Sequence, residues 1–321
     1  MGDAAPLISI PEAVMPPSNA ATGAAEWYQG ADGKVMRAAL FTPQSAARGS
    51  VVLSPGRTEP IEKYVEVIGE LLDRGFVVLV HDWRGQGLSH RASSDRLLGH
   101  ADGWRRFLSD FQRMIATFEA RLPKPWIAMG HSMGGGLTTL VLAEGETRFA
   151  AAVLSAPMLG LNLGKRSFGS VRFGAGLMSM IGRGKRYALG QFDPFKETFE
   201  ENPVTHDRGR YMRHRAQIIA EPKLALGAIT WGWLRFATDL VHRVARSPRI
   251  EQLAIPYVIV AAEEERLCDN TAARRVAERA PKGRFVVAPG AFHEVLMEID
   301  ERRAQFWAAF DPVADAVAPR V

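Results

Sequence analysis

The sequence predicts an α/β fold, in which a mostly parallel sheet carries helices on both faces and one mainly helical segment interrupts the alternation. Two observations lead to this prediction. Short apolar runs alternate with stretches of helical periodicity up to Ala156, and the same alternation resumes near Pro256. The chain has 321 residues, of which 47% are hydrophobic, so it is long enough to bury the core of one large α/β unit.

Each element follows from a local pattern. Residues 25–42 predict two strands around the turn at 30–33, because mixed runs flank a cluster of Gly and Asp. Later apolar runs predict buried strands, and apolar residues three and four positions apart predict the helices between them. The expected strands are 50–53, 76–80, 126–129, 150–154, 257–261 and 284–288, and the expected helices are 64–72, 104–122, 132–142 and 271–280.

The interval without strand-like runs is predicted to form a cap over the sheet. It has helical patches at 208–220 and 231–244, broken by Gly and Pro. The residues beyond 310 show no turn-to-turn pattern and are expected to fray. We therefore divide the chain into an N-terminal extension at 1–24, an α/β domain at 25–156 and 251–310, a cap at 157–250 and a flexible tail at 311–321.

The basic charge is concentrated in the cap. Residues 157–249 contain 16 Lys and Arg against seven Asp and Glu, which gives this segment +9 and leaves −4 for the rest of a chain of net charge +5. No nucleic-acid-binding motif accompanies these residues, so we expect no nucleic-acid partner. A peripheral contact with an anionic membrane surface stays open.

Location and cofactors are predicted from what the sequence lacks. It has no run of 18 apolar residues and no basic, apolar leader at its start, so we expect a cytoplasmic protein, with any membrane contact at the inner face. Cys268 is the single cysteine and cannot form an intrachain disulfide or a cysteine-based metal centre. We expect neither a metal nor an organic cofactor.

Residues 130–134 are the first candidate for chemistry. They read Gly-His-Ser-Met-Gly and fit the pattern G-x-S-x-G between an apolar strand and a helix. An abrupt strand-to-helix turn exposes the hydroxyl of Ser132 at its apex, and side chains at 130 or 134 would collide with neighbouring backbone. The helix that follows directs its first N–H groups to the place where an oxyanion would form. Ser132 is therefore the candidate nucleophile.

A serine nucleophile needs a histidine base that is held by a carboxylate, and with this kind of turn the chain order is Ser, acid, His. Of the eight histidines, His293 follows the last predicted strand. It lies in a loop at the carboxyl end of that strand, where open α/β sheets place their active sites. His293 is the candidate base, and His131 is expected to point away from it.

The acid is expected directly after the strand at 257–261. Residues 263–269 offer four carboxylates. Glu265 is favoured, and Glu264 and Asp269 stay open as alternatives. Asp269 is also well placed to cap the next helix, and Glu263 and Glu264 come early enough in the turn to be solvated.

Five segments resemble, in this order, the α/β-hydrolases of the monoacylglycerol lipase type, and most closely bacterial lysophospholipases. They are SPGRTE at 54–59, HDWRGQGLS at 81–89, GHSMGG at 130–135, EEERLCD at 263–269 and GAFH at 290–293. The resemblance implies an α/β-hydrolase fold with a cap. It also implies that 81–89 is a structural turn beneath the active site.

The resemblance implies the roles of the site residues. Ser132 would be the nucleophile, Glu265 the acid and His293 the base, and the backbone N–H groups of Arg57 and Met133 would form the oxyanion hole. The turn before Arg57 begins with Pro-Gly, where many relatives have His-Gly.

The expected reaction is hydrolysis of a carboxylic ester of a single-chain lipid through an acyl-enzyme, as in lysophospholipases. Trp231, Trp233 and Phe236 of the cap are candidate substrate-binding residues, although they could equally pack the core of the cap. The Arg57 side chain is a candidate contact for a phosphate or glycerol headgroup. A monoacylglycerol lipase or general carboxylesterase is the alternative activity, and a catalytically silent binding module is the alternative without catalysis.

Overall fold

The computed structural model of the protein describes residues 2–8 and 22–320. The strands are β1 Ala4–Ala5, β2 Thr22–Gln29, β3 Val35–Thr42, β4 Gly49–Ser54, β5 Phe76–His81, β6 Trp126–His131, β7 Phe149–Ser155, β8 Tyr257–Ala262 and β9 Gly283–Ala288. The helices are α1 Val65–Asp73, α2 Trp104–Phe118, α3 Ser132–Ala143, α4 Phe168–Met180, α5 Arg208–Ala220, α6 Trp231–Arg246, α7 Asn270–Arg279 and α8 Asp300–Val317. All strands and helices expected in the α/β part are present, with shifts of a few residues at their ends.

The strands form one sheet in the order β1-β2-β3-β5-β4-β6-β7-β8-β9. The first three strands and β5 pair antiparallel, whereas β5, β4 and β6 to β9 form parallel pairs. Ser54 pairs with Gly130 and Ala262 with Ala288, so the loops after these four strands leave the same edge of the sheet. Sequence segments far apart in the chain therefore meet at that carboxyl edge.

Alternate residues of the central strands pack into cores on opposite faces of the sheet. Val52 lies in the core that also contains side chains of α2, α3 and α6, whereas Val51 and Leu53 lie in the core formed with α1 and α8. Because both faces are covered, the central strands are apolar along their whole length, which is why they were recognisable in the sequence as continuous apolar runs.

The segment between β7 and β8 contains α4, α5 and α6. The patch at 208–220 forms α5 as predicted, and the patch at 231–244 forms most of α6. Helix α4 was not predicted, because three glycines interrupt its pattern and its only buried side chain is that of Ala175. Helix α6 lies against the sheet domain, where Phe236 and Leu240 are completely buried.

Ion pairs attach α5 to the sheet domain. Glu66 of α1 accepts hydrogen bonds from Arg210 and Arg213 of α5, at 2.6 Å and 2.7 Å, and from Arg303 of α8 at 3.1 Å. The pKa of Glu66 is lowered to about 2, because the three guanidinium groups outweigh the effect of burial, which alone would raise it. Part of the positive charge of the cap is thus neutralised by carboxylates of the α/β domain.

The expectation of a flexible tail at 311–321 is wrong for residues 311–318, and Val321 lies outside the described part of the chain. Helix α8 continues through Pro312 to Val317, and Val313, Ala314 and Ala318 are buried in the core beside α1. The tail was expected to fray because its sequence shows no helical pattern, but its apolar residues reach the core, so packing stabilises the helix there. Part of the N-terminal extension at 1–24 is ordered as well, since β1 pairs with β2, and its residues 9–21 lie outside the described part of the chain.

Among residues 2–8 and 22–320, no helix is both long and apolar enough to cross a membrane.

Candidate active site

A sharp turn between β6 and α3 carries Ser132. Its φ of 48° is left-handed, a conformation that residues other than glycine rarely adopt. A Cβ at Gly134 would lie 2.1 Å from the carbonyl oxygen of Ser54 and 2.3 Å from that of Pro55, and one at Gly130 would lie 2.9 Å from the backbone nitrogen of Gly135. Gly134 therefore permits the close approach of α3 to the loop after β4, and Gly130 permits the tight turn into α3. Side chains at both positions would collide with neighbouring backbone, as the sequence predicted.

The Ser132 hydroxyl faces His293. The distance from Ser132 Oγ to His293 Nε2 is 2.8 Å, and the His293 side chain is almost completely buried. His293 lies in the loop after β9, at the edge where β6 also ends. The structure thus brings the candidate nucleophile and the candidate base into hydrogen-bond contact across 161 positions of sequence.

Glu265 is the carboxylate that contacts the base. Its Oε2 lies 2.6 Å from His293 Nδ1, and its Oε1 accepts hydrogen bonds from the backbone N–H groups of Leu267, at 2.7 Å, and Cys268, at 3.1 Å. Burial alone would raise the pKa of Glu265, but the hydrogen bond and charge of His293, with the two N–H groups, lower it below its ordinary value. Glu265 is therefore held as an anion beside the imidazole.

The alternative acids lie elsewhere. Asp269 caps α7, with its carboxylate accepting from the N–H groups of Thr271 and Ala272. Glu264 is exposed, and Glu263, also exposed, accepts from the N–H of Gly290. Of the four carboxylates after β8, the one favoured from sequence is the one placed against His293.

Cys268 lies at the candidate site, three residues after Glu265 and buried. Burial, reinforced by the negative charge of Glu265, raises the pKa of this thiol well above its usual value, so it remains protonated at neutral pH. Ligand atoms of Glu265, Cys268 and His293 lie within 4.8 Å of one another, but two of these side chains are already committed to the contacts with Ser132 and each other.

The expectation that His131 points away from the base is wrong. Its ring centroid lies 4.8 Å from that of His293. Its Nδ1 lies 3.1 Å from the carbonyl oxygen of Ser155, and burial lowers its pKa to about 4, so it is neutral at pH 7. A neutral ring can pack beside His293 without repelling an imidazolium at that position.

The loop after β4 carries Arg57, whose backbone N–H is expected to form part of the oxyanion hole. The indole N–H of Trp83 donates to the carbonyl of Pro55 at 2.8 Å, and the amide of Gln86 donates to that of Gly56 at 2.6 Å. The segment at 81–89 therefore supports this loop from below, as the resemblance implied. Met133 is the second residue of α3, where an N–H has no partner within the helix.

A buried cluster of charges behind this loop was missed in the sequence. Lys63 Nζ lies 2.9 Å from Glu59 and 2.6 Å from Glu294, the residue after the candidate base. Glu59 also accepts from the backbone N–H of Gly56 and from the hydroxyl of Tyr64, so it fixes the turn before Arg57. The spacing of Glu59 and Lys63, four residues apart, was the available signal.

The four candidate substrate-binding residues lie in different parts of the structure; they are Arg57, Trp231, Trp233 and Phe236. The Trp233 ring lies 5.5 Å from the Arg57 guanidinium, and Trp233 and Met133 line the same small cavity. Phe236 is completely buried and stacks on Phe107 with ring centroids 4.6 Å apart. The assignment of Phe236 to substrate binding is therefore wrong, because its ring is committed to packing. Trp231 begins α6, and its backbone N–H donates to Arg186 of the cap.

Known proteins with similar sequences and structures define the class. Residues 45–300 match the family described as serine aminopeptidase, S33. Lysophospholipase L2 of Escherichia coli strain K12 is 32% identical over 298 residues, which cover 86% of this chain and 83% of that protein. Monoglyceride lipase of Rattus norvegicus is 23% identical over 275 residues, which cover 84% of each chain.

Solved structures give the same fold. A soluble variant of monoglyceride lipase from Saccharomyces cerevisiae, solved with a substrate analog, has a TM-score of 0.71 at 17% identity, covering 91% of this chain and 95% of that one. The α/β-hydrolase fold that the resemblance implied is confirmed. The chain belongs to the serine aminopeptidase S33 family, among the α/β-hydrolases that include monoacylglycerol lipases and bacterial lysophospholipases.

The contact between Glu265 and His293 predicts that Glu265 and Asp269 contribute differently to catalysis. Glu265→Gln removes the charge that would stabilise the imidazolium, so we expect kcat on a short-chain ester to fall by about 10³- to 10⁴-fold. Asp269→Asn keeps an amide oxygen that can cap α7, so we expect it to retain most of the wild-type kcat. Steady-state kinetics of both variants at one pH compare them directly, and an equal loss in both would contradict the assignment of Glu265.

Proposed function

We propose that this protein is a serine hydrolase that cleaves carboxylic esters of single-chain lipids, with Ser132 as nucleophile, His293 as base and Glu265 as acid. The observation that carries the proposal is the continuous hydrogen-bonded path from Ser132 to His293, 2.8 Å, and from His293 to Glu265, 2.6 Å. An arrangement of this kind is what activation of a serine hydroxyl at neutral pH requires.

The reaction would proceed in two halves. His293 removes the proton of Ser132 as Oγ attacks the ester carbonyl, and Glu265 stabilises the imidazolium that results. The backbone N–H groups of Met133 and Arg57 are the proposed donors to the oxyanion, and the alcohol leaves with the proton from His293. Water, activated by His293 in the same way, then cleaves the acyl-enzyme. Acyl transfer by this route needs neither a metal nor an organic cofactor.

The relatives support a lipid ester as the substrate. Of the relatives described above, one is named lysophospholipase L2 and another is named monoglyceride lipase. A lysophospholipid is the substrate class that we favour, because the relative at 32% identity is a lysophospholipase and because an arginine lies in the loop of the proposed oxyanion hole. A monoacylglycerol is the alternative substrate.

A hydrolysis panel tests the proposed activity. We expect lysophosphatidylethanolamine and monoacylglycerol to be cleaved, and p-nitrophenyl esters to be cleaved faster as the acyl chain lengthens, because a longer chain buries more apolar surface. Fatty acid release by the wild-type protein is the measurement, with Ser132→Ala as the inactive control. A preference for acetate or butyrate over long chains would contradict the lipid assignment.

We also propose that helix α4 rests on an anionic membrane surface. Its Phe173, Leu177 and Met180 follow one another at helical spacing and are 73%, 41% and 75% exposed. Lys165 and Arg166 precede this helix, and Arg183, Lys185 and Arg186 follow it. An exposed apolar stripe with basic residues at both ends complements a bilayer that contains acidic lipids.

Vesicle co-sedimentation tests this contact. We expect the wild-type protein to bind vesicles that contain phosphatidylglycerol, and to bind them less as salt concentration rises. Replacing Phe173 and Met180 together by Ser should weaken binding, whereas Ile219→Ser, which removes an exposed apolar side chain from α5, should not. Equal binding by all three proteins would contradict the assignment of α4.

A further inference from the structure

Arg57, in the loop after β4, lines a cavity that residues of the cap also line. The cavity has a volume of about 220 Å³ and lies between the loop after β4 and the cap. Arg57, Lys63 and Glu294 line it from the α/β domain, and His214 and Arg215 line it from α5. Of the lining residues, Arg57 belongs to the loop of the proposed oxyanion hole, and Glu294 directly follows the candidate base in the sequence.

Arg57 is half-buried and has few partners for a cation in such a position. Its guanidinium donates to the backbone carbonyl of Gly227, and its Nε is buried without a hydrogen-bond partner. Among the described residues, no carboxylate lies within 4.0 Å of it. Burial lowers its pKa to about 10, which still leaves the group charged at neutral pH.

The other cations of the cavity differ from Arg57 in their partners. Lys63 is paired with Glu59 and Glu294, and Arg210 donates to Glu66 at 2.6 Å. Arg215 donates to the backbone carbonyls of Pro194 and Phe195. Among the described residues that line the cavity, Arg57 therefore differs from the other cations in two ways. Its Nε is buried without a hydrogen-bond partner, and it belongs to the loop of the proposed oxyanion hole.

The acidic side chains of the cavity do not neutralise Arg57. The carboxylate of Glu294 accepts a hydrogen bond from Lys63 and forms an ion pair with it. Burial raises the pKa of Glu197, in spite of the opposing charge of Arg215, and so favours its neutral form. A buried guanidinium without an anion is unfavourable, and an anionic ligand would relieve this.

From these contacts we infer that Arg57 binds the phosphodiester of a lysophospholipid headgroup, and that this contact selects lysophospholipids over neutral monoacylglycerols. The inference rests on the proposed function. The ester carbon would lie at Ser132, and the glycerol would extend past the backbone of Arg57 so that the phosphate meets its side chain. A guanidinium suits this role because it can present two N–H donors to one phosphate.

The test is the ratio of kcat/KM for lysophosphatidylethanolamine to that for monoacylglycerol of the same acyl chain. In Arg57→Gln, which keeps the backbone N–H, we expect this ratio to fall by about 10- to 100-fold. Arg57→Lys should give an intermediate ratio, because lysine keeps the positive charge but cannot present the paired N–H donors of a guanidinium to the phosphate. Arg235→Gln is the matched control, because Arg235 is an exposed arginine on α6, and its ratio should equal that of the wild type.

A soluble headgroup distinguishes a lipid site from a site for free phosphate. Glycerophosphoethanolamine should inhibit monoacylglycerol cleavage by the wild type competitively, and should inhibit Arg57→Gln much more weakly. Stronger inhibition by inorganic phosphate than by the diester would overturn the headgroup assignment. An unchanged ratio in Arg57→Gln, in a protein that cleaves both lipids, would overturn the inference and leave the proposed function standing. A wild-type protein that cleaves neither lipid would instead contradict the proposed function itself.

Discussion

The close approach of the loop after β4 to the start of α3 is the constraint on which the rest of the site depends. Gly134 has space for no side chain against the carbonyls of Ser54 and Pro55, and Ser132 adopts a left-handed backbone at the apex of the turn. Such a conformation costs about 1–3 kcal/mol and persists only where surrounding packing holds it. Here α3 is almost entirely buried between the sheet and α6, which supplies that packing.

The second requirement is that separate loops converge at one edge of the sheet. Ser132, Glu265 and His293 follow β6, β8 and β9, and parallel pairing brings the carboxyl ends of these strands to the same side. A polar network then fixes the loop that carries Arg57. Trp83 and Gln86 hold its carbonyls, and Glu59 holds its N–H at Gly56. These bonds fix the loop of the proposed donor Arg57, and donors that are held in position before substrate binds are what an oxyanion hole requires.

Much of this could be predicted from the sequence, because it was encoded locally. The apolar runs identified the buried strands, and the glycines around Ser132 identified the turn, since both patterns reflect sterics over a few residues. The choice of Glu265 needed more than local pattern, because three other carboxylates lie within the same loop. Asp269 was correctly read as a helix cap, since capping depends only on the residues that follow it.

The errors arose where packing between distant segments decides the outcome. Helix α8 passes through Pro312 because Val313 and Ala314 reach a core that the local sequence does not describe. His131 packs beside the candidate base, and Lys63 joins Glu59 to Glu294 across 231 positions. Phe236 was assigned to substrate on residue type alone, although its ring completes an aromatic stack with α2. Apart from the four-residue spacing of Glu59 and Lys63, none of these contacts leaves a local pattern in the sequence.

The central claim is that Ser132 is a nucleophile activated by His293, and active-site labelling tests it most directly. The wild-type protein is treated with a fluorophosphonate, and the modified peptide is identified by mass spectrometry. The expected result is one label on Ser132, absent from Ser132→Ala and slower by about 10³-fold or more in His293→Ala. A wild-type protein that stays unlabelled, or a label that persists in Ser132→Ala, would contradict the account.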